Sequence, residues 1–173
     1  MKQILITIAA VVLVGCDPHI DSVYLGRAES KFLGDAGRGD TKTVKAYLDK
    51  GGNVNLQDEP GMTPLHHAVN GNWNGANFDT IKLLIDRGAN VNAIDDTHHT
   101  PLHLCNNKEI AELLIDNGAN VNAKTKRTGE TPLFSATHGA AQGATKSYQK
   151  YLDLAKMLIA KGADVNVKLR SGS

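Results

Sequence analysis

Apolar residues along this chain fall into three patterns. From Ile4 to Val14 they run almost unbroken, interrupted only by Thr7. Further on they take helical spacing: Ile81, Leu84 and Ile85, and again Ile110, Leu113 and Leu114, follow the i, i+3, i+4 rhythm that lines one helix face. Between such stripes, single valines sit in polar surroundings at Val54-Asn55, Val91-Asn92, Val121-Asn122 and Val165-Asn166. The elements predicted are short amphipathic helices joined by turns. Gly88, Gly118 and Gly162 follow the stripes, where a left-handed terminator is wanted and glycine enters it without strain.

The first run reads as an address. Its eleven residues would reach about 16 Å as a helix, against about 30 Å of bilayer hydrocarbon, so it suits an export segment better than a span. Lys2 precedes it, and Leu13-Val14-Gly15-Cys16 ends it. That ending resembles the lipobox of bacterial lipoproteins. The resemblance implies cleavage before Cys16, acylation of its thiol and new amino group, and anchoring by more than one acyl chain. An ordinary signal peptide beside a chance cysteine is the alternative. Asp17 resembles a sorting residue that retains such proteins at the inner membrane, facing the periplasm. The expected division is a signal peptide over 1–15, a lipidated N-terminus and tether over 16–27, and one folded domain over 28–173.

That domain repeats. Thr-Pro-Leu stands at Thr63-Pro64-Leu65, Thr100-Pro101-Leu102 and Thr131-Pro132-Leu133, and the Val-Asn pairs lie 37, 30 and 44 residues apart. Threonine suits a helix N-cap, and proline at the next position forfeits only an N–H that would be orphaned anyway. With His66 and His103 after the first two of these strings, and Gly88-Ala89-Asn90, Gly118-Ala119-Asn120 and Gly162-Ala163-Asp164 before the valines, the chain resembles the ankyrin repeat, whose period is about 33. A weaker first copy carries Gly39-Asp40, Val44, Leu48 and Gly51-Gly52-Asn53. The resemblance implies an all-α solenoid with short β-hairpin loops and about four helix–turn–helix units. It also implies that His66 and His103 are structural and hydrogen-bond neighbouring loops.

Unit lengths then locate the variable surface. Thr63 to Gly88 spans 25 residues, Thr100 to Gly118 spans 18, and Thr131 to Gly162 spans 31. The second unit therefore carries an insertion around Trp73, and the third is clipped to a turn at Asn106-Asn107-Lys108. The fourth has extra chain over 137–150, for which longer helices or a flap are both open, the Tyr148-Tyr151-Leu152 spacing favouring helix. His98 occupies a hairpin position that favours glycine, and histidine tolerates positive φ better than most residues. Phe134 replaces the motif histidine in the fourth unit and Leu33 does so in the first.

Composition narrows the function. Nineteen Lys and Arg against eighteen Asp and Glu leave a net charge of +1, which excludes a nucleic-acid binder relying on bulk electrostatics. Eight aromatics among 173 residues, with seventeen glycines, suit a thin layered array rather than one bulky core. Two cysteines make no disulfide framework. Cys105 stands where the family has a buried alanine, and His103, two residues away on a helix, would face elsewhere, so no nucleophilic dyad is expected. Asp95, Asp96, His98 and His99 are metal-ligand types on one hairpin, yet neighbours on a tip rarely converge, and neither metal nor other cofactor is expected.

What remains is a binding surface. Hairpin tips carry Asp58, Glu59, Asp95 and Asp96, then Lys126 and Arg127, a bipolar row able to orient a protein partner; His98 and His99 flank it. Trp73 is the expected hot spot, since aromatics dominate interface energy. The expectation is a monomeric, non-enzymatic, membrane-anchored periplasmic interaction module, an immunity or inhibitor protein against a toxic effector. The alternative is an adaptor or stress-protection factor for an envelope enzyme complex.

Overall fold

The computed structural model describes residues 26–71, 77–142 and 145–170, and the side chains of these apart from 139–147. Cys16, Asp17 and Trp73 lie outside the described residues. Among the described residues seven α-helices follow one another: α1 (Arg27–Arg38), α2 (Thr41–Asp49), α3 (Pro64–Asn70), α4 (Phe78–Asp86), α5 (Lys108–Asp116), α6 (Pro132–Gln142) and α7 (Thr145–Ala160). A 3-10 turn over Pro101–Leu104 stands between α4 and α5. They stack as two rows: α1, α3, the 3-10 turn and α6 touch in succession, and behind them α2, α4, α5 and α7. No described helix is long and apolar enough to cross a membrane. The fold is an all-α repeat solenoid.

The local chemistry sets each boundary. Asp40 caps α2 by accepting the Thr43 N–H at 3.1 Å, and Asn107 caps α5 by accepting that of Ile110 at 3.0 Å. Pro64 and Pro101 each follow a capping threonine. Four residues before each terminating glycine stands a large side chain, Leu84, Leu114 and Leu158 being fully buried. Each such leucine contributes about 1.5–3 kcal/mol by leaving water, which no isolated helix pair could achieve.

Three expectations change on the structure. Loops between units contain no strand among the described residues; each closes through isolated backbone bonds such as Asp95 N to His99 O at 3.1 Å. The expected β-hairpins are therefore turns, and a backbone bond such as Asp96 N to Pro60 O at 3.0 Å reaches sideways to the neighbouring loop. Secondly, trimming of the third unit removes more than an inter-helix turn. Its first helix shrinks to the four-residue 3-10 turn, and Cys105 is already extended, at φ −75° and ψ 129°. Thirdly, the histidine position of the first unit falls on Gly34, not Leu33. Counting back five residues from Gly39 and Gly71 aligns Gly34 with His66, and Leu33 is buried as Leu65 is.

The described extra chain of the fourth unit, 137–142 and 145–150, is helix, as the tyrosine spacing favoured: α7 has 16 residues where α4 and α5 have 9. His98 has φ 65°, the one non-glycine residue at positive φ among those described, matching Gly61 at 77° and Gly129 at 70°.

Candidate interaction surface

Each loop is braced by polar side chains before any charge is presented outward. His66 Nδ1 receives hydrogen bonds from the Thr63 N–H at 3.1 Å and the Thr63 hydroxyl at 2.9 Å, leaving Nε2 to donate to the His99 carbonyl at 3.1 Å. His103 repeats this with Thr100 and the Glu130 carbonyl, the latter at 3.2 Å. Burial holds both imidazoles below the ordinary histidine pKa, so they work as neutral clamps between one unit and the next loop. Phe134 cannot do this, and instead stacks on His138 at 6.0 Å.

The tips are then tied in a row. Asp96 N–H donates to Pro60 O at 3.0 Å, Lys126 N–H to Thr97 O at 3.0 Å, and Arg170 N–H to Thr128 O at 2.8 Å. The row is close-packed: a Cβ added at Gly61 would lie 3.1 Å from Asp96 Oδ1. Such lateral bonds fix the spacing between successive tips and so preorganise whatever they carry.

Not all the tip charges face outward. Asp58 accepts the Met62 N–H at 2.7 Å and pairs with His67 Nε2 at 2.7 Å. Asp95 accepts from the Thr97 N–H, the Thr97 hydroxyl and the His99 N–H, at 2.7 to 2.9 Å. Burial alone would raise its carboxyl, but those donors outweigh it and hold it below the usual carboxylate range. Both carboxylates are loop braces. Glu59 and Asp96 remain exposed on one stretch of the row, Lys126 and Arg127 on another. His98 is half-buried, while His99 is anchored through Nδ1 to the Thr97 hydroxyl at 2.6 Å and lies edge-on to His103.

Among the described residues, no group of three or more His, Cys, Asp or Glu is placed to hold a metal ion. The Cys105 thiol is buried, donates to the Asn107 carbonyl at 3.1 Å, and has its pKa pushed up to about 12 by desolvation, which leaves almost no thiolate at neutral pH.

The Val-Asn repeats hold a ladder that sequence reasoning passed over. Asn55 Nδ2 donates to Gly88 O at 3.2 Å while its Oδ1 accepts the Asn90 N–H at 2.8 Å. Asn92 does the same to Gly118 and Asn120, and Asn122 to Gly162 and Asp164. One amide supplies both donor and acceptor, which is why asparagine recurs here. Buried Asn77 adds a further tie, donating to the carbonyls of Gly37 and Ala68.

Among curated proteins, no significant match to the chain is found. The family model for ankyrin repeats (three copies) matches residues 35–125 and 75–168, which together cover most of the sequence. With its layers joined by histidine clamps and an asparagine ladder, the chain belongs to the ankyrin-repeat family and is a protein–protein interaction module.

Proposed function

We propose that this module is carried to the cell envelope by its N-terminal segment, lipid-anchored at Cys16 and retained at the inner membrane by Asp17, where it binds and inhibits one protein partner. The observation that carries the binding reading is the tip row. Backbone bonds between successive loops fix the order in which exposed Glu59, Asp96, Lys126 and Arg127 follow one another along the row. A surface with ordered charges of both signs favours one orientation of a complementary partner and penalises others. The export reading rests on the apolar run before Gly15-Cys16 and on the shortness of that run.

The test has two arms. Cys16→Ser should release the protein from the membrane fraction; continued association contradicts the anchor. Capture with the wild type and with Glu59→Lys/Asp96→Lys should identify one protein lost in the variant, whose own activity falls in proportion to added wild type. Two proteins held at once, with neither inhibited, would make the chain an adaptor instead.

A further inference from the structure

Cations on the helices and cations on the loop tips differ in their surroundings. Lys31, Lys45, Lys82 and Lys108 each pair with a carboxylate one turn further along the same helix. Lys124, Lys126 and Arg127, on the loop between α5 and α6, are exposed and have no ionic partner among the described residues. Glu130 is the one acid of that loop.

These cations border a cleft. Between this loop and the one before it lies a space of about 340 Å³, lined by Thr97, His99, Thr125, Arg127, Thr128 and Glu130. Its walls are tied together by Lys126 N–H donating to Thr97 O at 3.0 Å and by His103 Nε2 donating to Glu130 O at 3.2 Å. The hydroxyl of buried Thr125 accepts the Glu130 N–H at 3.0 Å and lies 3.1 Å from that of Thr128. Both loops also have neighbours on their far sides, through Asp96 N–H to Pro60 O and Arg170 N–H to Thr128 O. The cleft is therefore interior to the array.

The protons around His99 fall in one order. Asp95 is held ionised by its donors, so the single hydroxyl proton of Thr97 goes to Asp95 Oδ1 at 2.7 Å. The Thr97 oxygen then accepts from His99 Nδ1, 2.6 Å away. The neutral imidazole thus carries its proton on Nδ1, and Nε2 is a bare acceptor with no partner among the described residues. A second proton would make Nε2 a donor, its charge balanced by Asp95 Oδ2 at 3.5 Å from Nδ1.

We propose that this cleft seats a single carboxylate, an aspartate or glutamate side chain of the protein partner, between Arg127 and His99. The inference rests on the tip row being a binding surface. A lysine or arginine in the same place would face Lys126 and Arg127 with only Glu130 to offset them. An extended anionic surface such as a lipid bilayer would be repelled by exposed Glu59 and Asp96 on the same row. A lone acid avoids both penalties, since neither of those residues lines the cleft. Seating it favours the second proton on His99, so binding tightens as pH falls.

NMR of the full chain in mild detergent tests this, with acetyl-Gly-Glu-Gly-amide as the probe. The peptide should shift the Arg127 side chain and the His99 ring, saturating with a Kd of about 1–10 mM. Its Gln and Lys counterparts should not bind, and Arg127→Gln should weaken the Glu peptide about tenfold. Affinity should rise severalfold from about pH 7.5 to about pH 6. His99→Gln should abolish that rise, while His98→Asn, which also suits positive φ, should keep it. Burial keeps His66 and His103 neutral in this range, and Asp95 and Arg127 stay charged. Glu130→Gln should raise the affinity and leave its pH dependence in place. Equal binding of the Gln peptide, preference for the Lys peptide, affinity that is flat with pH, or an Arg127→Gln chain that binds like the wild type would each overturn the proposal. A captured protein held equally by wild type and Arg127→Gln would overturn the cleft and leave the binding function standing. A chain that takes the Glu peptide yet captures no protein would do the reverse.

Discussion

At the first layer Tyr47 lies between Phe32 and Gly52 and closes the stack with its own ring; at the last, Ile159 and Val165 stand in water although their counterparts are covered. Both layers descend from one pattern, so the contrast isolates what stacking contributes. Position within a unit fixes which face a side chain takes. Whether that face is hidden depends on the neighbour. The glycine at position 52 belongs to the same contrast: the other units have Ala89, Ala119 and Ala163 there, and the ring of Tyr47 uses the space of that methyl and of the missing leucine together.

Substitutions at matched positions should break this contrast apart. Val91→Asp places a carboxylate in a covered site and should cost about 2–4 kcal/mol of unfolding free energy, whereas Val165→Asp should stay within about 0.5 kcal/mol. Urea unfolding of the two variants measures the difference. Gly52→Ala should cost about 1–3 kcal/mol, because the ring it strikes is held by Phe32, and adding Tyr47→Leu should recover much of the loss. Thermal melts of the four members of that cycle report the coupling directly. Asn92→Ala removes two ladder bonds and should cost about 1 kcal/mol, while Asn166→Ala should be close to neutral.

The remaining prediction concerns pH. His66 and His103 have folded pKa values below that of an unfolded histidine, so the unfolded chain takes up more protons as acidity rises. Their contribution to stability is therefore complete above about pH 6.5 and declines below it. Urea midpoints should fall on acidification through that range, less steeply in His103→Phe, which carries the side chain that the fourth unit has at this position. Flat midpoints would mean the imidazoles are not the neutral clamps described.

Sequence made the layers legible because each signal is local. A capping threonine, a proline and a terminating glycine act within one turn of helix, and the apolar stripe needs no knowledge of its neighbour. His98 was legible for the same reason, as a hairpin residue in a glycine-like place. The asparagine ladder was not, although Val-Asn recurs four times, because its bonds join residues about one repeat apart. Nor was the division among the tip acids. Asp58 and Asp95 look like Glu59 and Asp96 in a string of letters, and differ only because folded loops bring N–H donors to two of them. The third unit's length suggested only a clipped turn, whereas the eighteen-residue step from Thr100 to Gly118 also costs it the first helix, which is left as a 3-10 turn.

One backbone bond occurs in every layer with nearly the same geometry, and its exchange with solvent tests whether neighbours hold the layers together. Ala89 donates to Leu84 O at 2.9 Å, Ala119 to Leu114 O at 3.0 Å, Ala163 to Leu158 O at 2.9 Å, and Gly52 to Tyr47 O at 3.1 Å. Native-state hydrogen exchange, read by NMR on the full chain, should find Ala89 and Ala119 slowest. Gly52 should be protected beneath its tyrosine, and Ala163 should exchange fastest. Equal protection at Ala163 and Ala119 would contradict the account, since it would mean that each layer is stable without a neighbour to cover it.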